Sequence, residues 1–196
     1  MPKKQIDISK KKSPHTLKIK MWRILWSCVY NILFRYSPNP FHKYRIFILR
    51  IFGAKVSIKA RISPQAIITM PWNLEMDDYA TLGPYAIVYS TAPVKIGKQA
   101  TVSQYACLCT ATHDYEDANF TLYAEPITIE NNAWVAADVF VGQGVTIGEG
   151  CVIGARSSIY KNSPAWTICV GNPAKPIKER KIIKDKSNEK NRLPNQ

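Results

Sequence analysis

The chain has 196 residues, of which 46% are hydrophobic, and its formal net charge at pH 7 is +13. This length fits one domain with terminal extensions, and the hydrophobic content is enough for a packed core. The positive charge lies at the two ends: residues 1–61 carry +14 and residues 175–196 carry +5, whereas residues 62–174 carry −6. An acidic middle disfavours a nucleic-acid-binding core, and basic ends favour contact with an anionic surface.

The five cysteines form no Cys-x-x-Cys pair, and the first 16 residues contain no apolar stretch. Isolated thiols are typical of a reducing cytoplasm, and a secretory signal peptide has an apolar stretch near its start. We therefore expect a cytoplasmic protein, either free or in peripheral contact with the cytoplasmic membrane.

Residues 1–16 are basic and polar and are predicted to form a disordered arm. Residues 17–55 are predicted to form two amphipathic helices, the first of which covers residues 17–36. The second is expected to begin with Asn39 as its N-cap and Pro40 in its first turn, and to end at Gly53.

These helices are too short and too charged to cross a membrane. The longest uncharged run in the first helix, residues 24–34, is 11 residues long, and a membrane span needs about 20. We expect the helices to cover the open end of the domain that follows. The alternative is that they lie on a membrane surface, with Trp22 and Trp26 at the level of the headgroups.

A period of six residues dominates the second half of the chain. Every sixth position from residue 129 is a β-branched aliphatic, and the position four further on is small or β-branched; the aliphatics are Ile129, Val135, Val141, Ile147, Ile153 and Ile159. Neither a helix nor a strand produces this period. It predicts a parallel β-helix in which each repeat forms one short strand and one corner. The small residue directly after most of these aliphatics predicts a sharp turn of the backbone there.

The same pattern begins near Val56 and slips by two residues around Ala92 and Pro93, so the β-helix is expected to cover residues 56–173. Residues 113–126 interrupt it with an aperiodic stretch that contains four acids. Long aperiodic insertions in a regular scaffold are usually functional loops. His113 opens this loop and is the only histidine in the repeat region, and imidazole is a natural base at neutral pH. The alternative to a catalytic role is that His113 is a solvent-exposed side chain in a loop.

Residues 174–196 follow a turn at Gly171, Asn172 and Pro173. They are predicted to form a short basic helix and then a polar, disordered tail.

The repeat, written [LIV]-[GAED]-x-x-[STAV]-x, resembles that of the hexapeptide-repeat acyltransferases. The resemblance implies a left-handed parallel β-helix with three hexapeptides per coil; the spacing alone leaves the hand open, and parallel crossovers are usually right-handed. Residues 71–76, 103–115, 125–150 and 164–180 resemble the branch that acetylates exopolysaccharides, the colanic-acid type, which is related to galactoside and maltose acetyltransferases. The resemblance covers about residues 17–180.

What this resemblance implies is an O-acetyltransferase that moves an acetyl group from acetyl-CoA to a sugar hydroxyl of a polysaccharide or its precursor, in a groove between two subunits of a homotrimer. His113 lies 17 positions after Ile96 of the Ile96-Gly97 pair, as in that family. It is expected to be the general base, with no acyl-enzyme and no metal. The residues expected to contact the cofactor are Trp134, Ala137, Ala155, Tyr160, Lys161, Lys175 and Lys178. Many relatives have serine in place of Ala137, so the expected oxyanion donor is its backbone N–H.

Two other functions compete with this one. A metal enzyme on the same scaffold would use three histidines, and the repeat region contains one. A non-enzymatic scaffold docked to an anionic membrane by its basic ends is compatible with the charge distribution. The sequence contains no P-loop or Gly-x-Gly-x-x-Gly fingerprint that would support a nucleotide-dependent reaction.

Overall fold

The computed structural model describes residues 15–183, and most of them form a three-sided parallel β-helix. The predicted fold class is confirmed, with one short strand from each hexapeptide and three strands per coil. Nearly all of the arm predicted for residues 1–16, and the polar tail predicted at the C-terminal end of residues 174–196, lie outside the described residues.

Two helices precede the coils. The first, α1, covers Leu17–Val29, with the side chain of Thr16 capping its start, and it continues through a π-helical turn at Tyr30–Phe34. The second, α2, covers His42–Ile51. The prediction that Asn39 caps α2 is wrong, because Phe41 occupies the cap position. A short 3-10 helix, Pro71–Asn73, lies between the first two coils.

The strands follow in chain order. The first three coils contain β1 (Lys55–Val56), β2 (Arg61–Ile62), β3 (Ile67–Ile68), β4 (Leu74–Met76), β5 (Thr81–Leu82), β6 (Ile87–Tyr89), β7 (Val94–Ile96), β8 (Thr101–Val102) and β9 (Cys107–Cys109). A hairpin of β10 (Ala111–His113) and β11 (Leu122–Ala124) projects from the third coil. The remaining coils contain β12 (Ile127–Ile129), β13 (Trp134–Val135), β14 (Phe140–Val141), β15 (Thr146–Ile147), β16 (Val152–Ile153), β17 (Ser158–Ile159), β18 (Thr167–Gly171) and β19 (Ala174–Glu179).

The strands stack into three faces. The first face is β1-β4-β7-β12-β15, the second is β2-β5-β8-β13-β16-β18 with β19 at its edge, and the third is β3-β6-β9-β14-β17. The parallel register keeps the inward aliphatics in columns, so that Ile129 lies between Ile96 and Ile147. All six aliphatics of the predicted run are buried, as expected. The core is therefore a stack of aliphatic side chains inside the prism.

The corners are built differently from the prediction. The left-handed backbone conformation occurs three residues after the inward aliphatic, as at Asn132 with φ 61° and Gly150 with φ 63°. The glycines directly after the aliphatics have another role: a Cβ on Gly97 would lie 2.8 Å from the backbone nitrogen of Asn131 in the next coil. Glycine is needed there because two coils approach closely, and the prediction of a turn at that position is wrong.

All of the irregularity among these columns lies on one edge of the prism. From the third face to the first face the inward residue advances by eight positions twice, from Ile68 to Met76 and from Val88 to Ile96. The second of these is the phase slip predicted near Ala92. The next crossing of this edge carries the hairpin and its loop. His113 thus belongs to the largest of three insertions on a single edge.

The helices cover the open end of the first coil, as the sequence led us to expect. Each strand of that coil has a carbonyl oxygen that accepts from a helix side chain: Arg50 Nε donates to Val56 at 2.8 Å, Arg45 Nε to Ile62 at 2.8 Å, and Trp26 Nε1 to Ile68 at 2.6 Å. An open sheet edge would otherwise leave these groups unpaired. The helical layer therefore caps all three faces at once.

The C-terminal helix predicted after residue 173 is wrong. Residues Ala174–Glu179 form β19, which pairs antiparallel with β18. Two features explain this: Lys175 precedes Pro176, which disfavours helical backbone, and β18 is the last strand of its face and offers an open edge. Arg180 then fixes the end of the hairpin, because its Nη1 donates to the carbonyl oxygens of Asn132 and Gly150 at 2.9 and 2.8 Å.

Candidate active site

His113 is held by its own hairpin. It ends β10, opposite Leu122 in β11. Its ring stacks on that of Phe120, with 4.6 Å between centroids and 14° between planes. Its Nδ1 lies 2.8 Å from the carbonyl oxygen of Phe120. A carbonyl oxygen can only accept, so Nδ1 carries the proton and the basic lone pair of the neutral ring is on Nε2. The hairpin thus fixes the tautomer that a general base needs.

Phe120 is a residue that sequence reasoning missed. Its φ is 53°, which is rare for a bulky side chain. The conformation directs both its ring and its carbonyl oxygen toward His113. The only sequence signal is its place seven residues after His113 inside the aperiodic loop, and that spacing by itself does not predict a contact.

The acids of the loop shape its backbone. Asp117 accepts from the backbone N–H of Asn119 at 2.9 Å and of Thr121 at 3.2 Å, and also from the Thr121 hydroxyl. The hydroxyl bond first, and then these N–H bonds, hold the pKa of Asp117 below its ordinary value. Asp114 accepts from the N–H of Glu116 at 2.9 Å. These carboxylates therefore order the turn that carries Phe120.

Ala137 and Ala155 lie in successive coils on the edge between the second and third faces. The carbonyl oxygen of Ala137 accepts from the N–H of Arg156 at 3.0 Å, which fixes the corner. At the equivalent corner position on another edge, the N–H of Lys98 donates to the side chain of Asn131 at 2.8 Å. Within residues 15–183 the N–H groups of Ala137 and Ala155 donate to no protein acceptor. They are suited to bind a ligand oxygen from outside.

Trp134 and Tyr160 lie on the outside of the coil. Trp134 is 45% exposed and its Nε1 donates to the Ser103 hydroxyl at 2.9 Å. This placement excludes a core-packing role for Trp134. Tyr160 is 55% exposed; its ring lies 5.8 Å from that of Phe140 and passes over Gly142, where a Cβ would approach it to 3.0 Å. Both rings are available to pack against an extended ligand.

The three lysines are exposed cations. Lys161 follows β17, and Lys175 and Lys178 lie on β19 opposite Val170 and Ile168. None of the three forms an ion pair with an acid in the described part of the chain. Three strand spacings of about 4.8 Å separate Trp134 in β13 from Lys178 in β19, a distance of about 14 Å. A strip of this length suits a ligand with a long apolar arm and an anionic end.

The candidate residues lie on two edges of the prism. His113, Tyr160 and Lys161 lie on the edge between the third and first faces, whereas Ala137 and Ala155 lie on the edge between the second and third faces. The five residues from Ala155 to Tyr160 cross the third face between these edges and span at most about 17 Å. His113 and Ala137 of one chain therefore border opposite sides of the third face.

A cleft of about 770 Å³ lies beside the first face and does not contain the candidate base. It is lined by residues that include Arg50, Glu75, Asp78 and Lys98. Residues 15–183 also contain no group of three or more histidine, cysteine, aspartate or glutamate side chains placed to hold a metal ion.

Known proteins with similar sequences are named as acetyltransferases. The family model "Bacterial transferase hexapeptide (six repeats)" matches residues 126–161. The "Putative colanic acid biosynthesis acetyltransferase WcaF" of Escherichia coli (strain K12) is 45% identical over 156 residues, which is 80% of this chain and 86% of that protein. The galactoside O-acetyltransferase of the same organism is 28% identical over 145 residues, with 72% of this chain and 71% of that protein covered.

Solved structures show the same fold. A hexapeptide-repeat acetyltransferase of Vibrio cholerae O1 biovar eltor, complexed with acetyl coenzyme A, superimposes with a TM-score of 0.77 at 22% identity and covers 87% of this chain and 93% of its own. A maltose O-acetyltransferase of Clostridium difficile 630 gives a TM-score of 0.76 at 24% identity, with 85% and 90% covered.

Proposed function

This chain belongs to the hexapeptide-repeat acetyltransferases, and from that membership we propose that it transfers an acetyl group from acetyl-CoA to a hydroxyl of a polysaccharide or its saccharide precursor. The relative with 45% identity is named for colanic acid biosynthesis, and structural neighbours were solved with acetyl coenzyme A or coenzyme A. The single observation that carries the proposal is the tautomer of His113, which its bond to Phe120 fixes for work as a base.

The chemistry is direct transfer. Nε2 of His113 removes the proton of the sugar hydroxyl while its oxygen attacks the thioester carbonyl. The negative charge that develops on the carbonyl oxygen is stabilised by the backbone N–H of Ala137. Collapse of the tetrahedral intermediate breaks the carbon–sulfur bond, and the proton held on His113 passes to the departing CoA thiolate. The products are the acetyl ester and CoA, so no cysteine nucleophile is required.

The donor substrate is assigned to the surface of the second face and its neighbouring edge. Trp134 packs along the pantetheine arm, and the N–H of Ala155 binds one of its amide carbonyls. Tyr160 and Lys161 lie on the edge that carries His113, so in the assembly proposed below they contact the donor from the neighbouring subunit, with Tyr160 against its adenine end. Lys161, Lys175 and Lys178 bind CoA phosphates as point charges. The lack of acidic partners for these lysines within residues 15–183 supports this role.

We propose that the site is completed between two subunits of a homotrimer. In a cyclic assembly each chain presents the edge that carries His113 to the edge that carries Ala137 of its neighbour. The placement of the two groups on opposite sides of the third face supports this arrangement, because each edge can then meet the other edge of a neighbouring chain.

The first experiment measures transfer of labelled acetyl from acetyl-CoA to a panel of free sugars, nucleotide sugars and lipid-linked saccharides. We expect ester formation with at least one acceptor and a 1:1 release of CoA. Absence of transfer to every acceptor, together with no binding of acetyl-CoA, would favour the non-enzymatic scaffold instead.

A complementation experiment tests the shared site. Two inactive variants, His113→Ala and Ala137→Pro, are unfolded together and refolded as mixed trimers. Pro84 already occupies the equivalent corner position of another coil. Ala137→Pro should therefore remove the N–H donor without changing the backbone conformation of the corner. Mixed trimers should regain activity, because some grooves then combine an intact His113 with an intact Ala137. Mixtures that stay as inactive as their parents would contradict the intersubunit site.

A further inference from the structure

The two N-terminal helices have a second apolar face that points away from the β-helix. On α1 and its π-helical continuation, exposed apolar side chains recur at helical spacing: Leu17, Met21, Ile24, Leu25, Ile32 and Leu33, followed by Tyr36 just beyond the π-helical turn. On α2 the corresponding exposed stripe is Phe41, Tyr44, Phe47 and Ile51. Single exposed apolar residues are ordinary, but two whole stripes indicate a binding surface.

These stripes meet at one end, and together we call them the outer helical face. A cleft of about 310 Å³ joins them, with Ile32, Leu33 and Tyr36 on one side and Phe41 and Tyr44 on the other. The opposite sides of the same helices hold Trp26, Arg45 and Arg50 against the first coil. The outer helical face is therefore fixed on the end of the coil and is not needed to hold the helices there.

The charge around this face has a single sign. The sequence contains no aspartate or glutamate between residues 8 and 74. Exposed basic side chains flank the apolar stripes: Lys18, Lys20, Arg35 and Lys43. Apolar and aromatic residues bordered by lysine and arginine are the composition of helices that lie in the interface of an anionic membrane.

Other occupants fit less well. Residues 1–14 contain only Met1, Ile6 and Ile8 as large apolar side chains, too few to cover two stripes. A second copy docked through the same face would bring like charges together. No helix within residues 15–183 is long and apolar enough to cross a membrane. We propose that the outer helical face binds the surface of a bilayer that contains anionic phospholipid, with its apolar stripes in the headgroup region.

This docking would fix the distance between the membrane surface and the loop that carries His113. The helical layer is about 10 Å thick and coils are about 4.8 Å apart. His113 leaves the third coil, so it would lie about 20 Å from the membrane surface. In the cyclic trimer proposed above, all three outer helical faces point to the same side, and binding at three sites raises the overall affinity. A saccharide carried on a membrane lipid would then be within reach of the site; this last consequence rests on the proposed function, whereas the docking does not.

The test is co-sedimentation of the full chain with vesicles of phosphatidylglycerol and phosphatidylcholine, compared with phosphatidylcholine alone. The variant is Ile24→Asp with Ile32→Asp, two side chains that are 67% and 70% exposed. The matched control is Ile182→Asp with Ile183→Asp, 60% and 65% exposed at the other end of the described chain. Both variants make the same change of charge on exposed positions, so both should fold.

We expect the wild type and the control to bind the anionic vesicles, and the Ile24/Ile32 variant to lose at least about tenfold in partition coefficient. Transfer to a water-soluble acceptor should be the same in all three proteins. Equal binding by the variant and the control would overturn the proposal, because it would leave only attraction by the basic ends. A change of oligomeric state in the Ile24/Ile32 variant, without vesicle binding by the wild type, would assign the face to a second copy and overturn it as well.

Discussion

The two edges that border the third face of the prism follow different rules. On the edge between the second and third faces every crossing advances the inward residue by six positions, as from Val135 to Val141. On the edge between the third and first faces three crossings carry insertions, and the largest holds His113. The regular edge presents backbone N–H groups at Ala137 and Ala155, while the irregular edge presents a side chain.

Under the proposed mechanism, this difference is how the repeat scaffold acquires its two kinds of catalytic group. A strict repeat gives each coil the same corner, and thus a row of similar backbone donors whose positions barely depend on side-chain identity. A base needs one particular side chain in one orientation, which a repeat cannot supply in a single copy. The insertion adds that side chain together with Phe120 and Asp117, which fix its orientation.

The largest effect should come from the irregular edge. His113→Ala removes the base, and we expect kcat for acetyl transfer to fall by about 10²–10⁴-fold. KM for acetyl-CoA should change little, because the donor contacts lie elsewhere. The control is Tyr115→Ala, 79% exposed in the same loop; near-native transfer by His113→Ala would refute the mechanism.

The regular edge should respond to removal of a single backbone donor. Ala137→Pro should lower kcat by about 10²–10³-fold, the usual effect of losing one oxyanion donor. Gln143→Pro is the matched control, since it would place a Gly-Pro pair at the equivalent position of another corner, as Gly83 and Pro84 already do. Equal kinetics for the two variants, measured at saturating acetyl-CoA, would show that the N–H of Ala137 has no catalytic role.

Phe120→Asn should have a smaller effect that reports on positioning. Asparagine tolerates a positive φ and keeps the backbone carbonyl that binds Nδ1, but it removes the ring that stacks on His113. We expect kcat to fall about tenfold, with unchanged KM for acetyl-CoA and an unchanged Tm. A variant with native kcat would mean that the hydrogen bond alone orients the imidazole.

The smallest effect should come from the lysines next to the regular edge. Lys175→Ala should raise KM for acetyl-CoA several-fold, which is the effect expected from the loss of one exposed charge contact. The change in kcat should be smaller. The difference from the wild type should shrink at high salt, where such contacts are screened. Lys181→Ala is the control, since Lys181 is also exposed but lies beyond β19. An effect of the same size in both variants would indicate general attraction rather than phosphate binding.

The sequence predicted the repeating part of the molecule because its signal is local. Each inward aliphatic such as Ile129 or Val141 needs only a place in a six-residue period, and burial of every sixth side chain follows from the stacking of identical coils. The hairpin loop was recognisable for the same reason, as the stretch where the period stops. The position of His113 at its start could be read directly from residue numbers.

What the tertiary structure decided depends on residues far apart in the chain. Gly97 is small because Asn131 of the next coil passes over it, and Ala174–Glu179 is a strand because β18 offers an open edge. Trp26, Arg45 and Arg50 reach carbonyl groups of the first coil, which leaves the other side of their helices exposed. The number of inserted residues also decides on which edge of the prism each site residue lies. The placement of His113 and Ala137 on different edges therefore becomes visible only in the folded coil. These outcomes are set by contacts between coils and between layers, which a period of six residues does not encode.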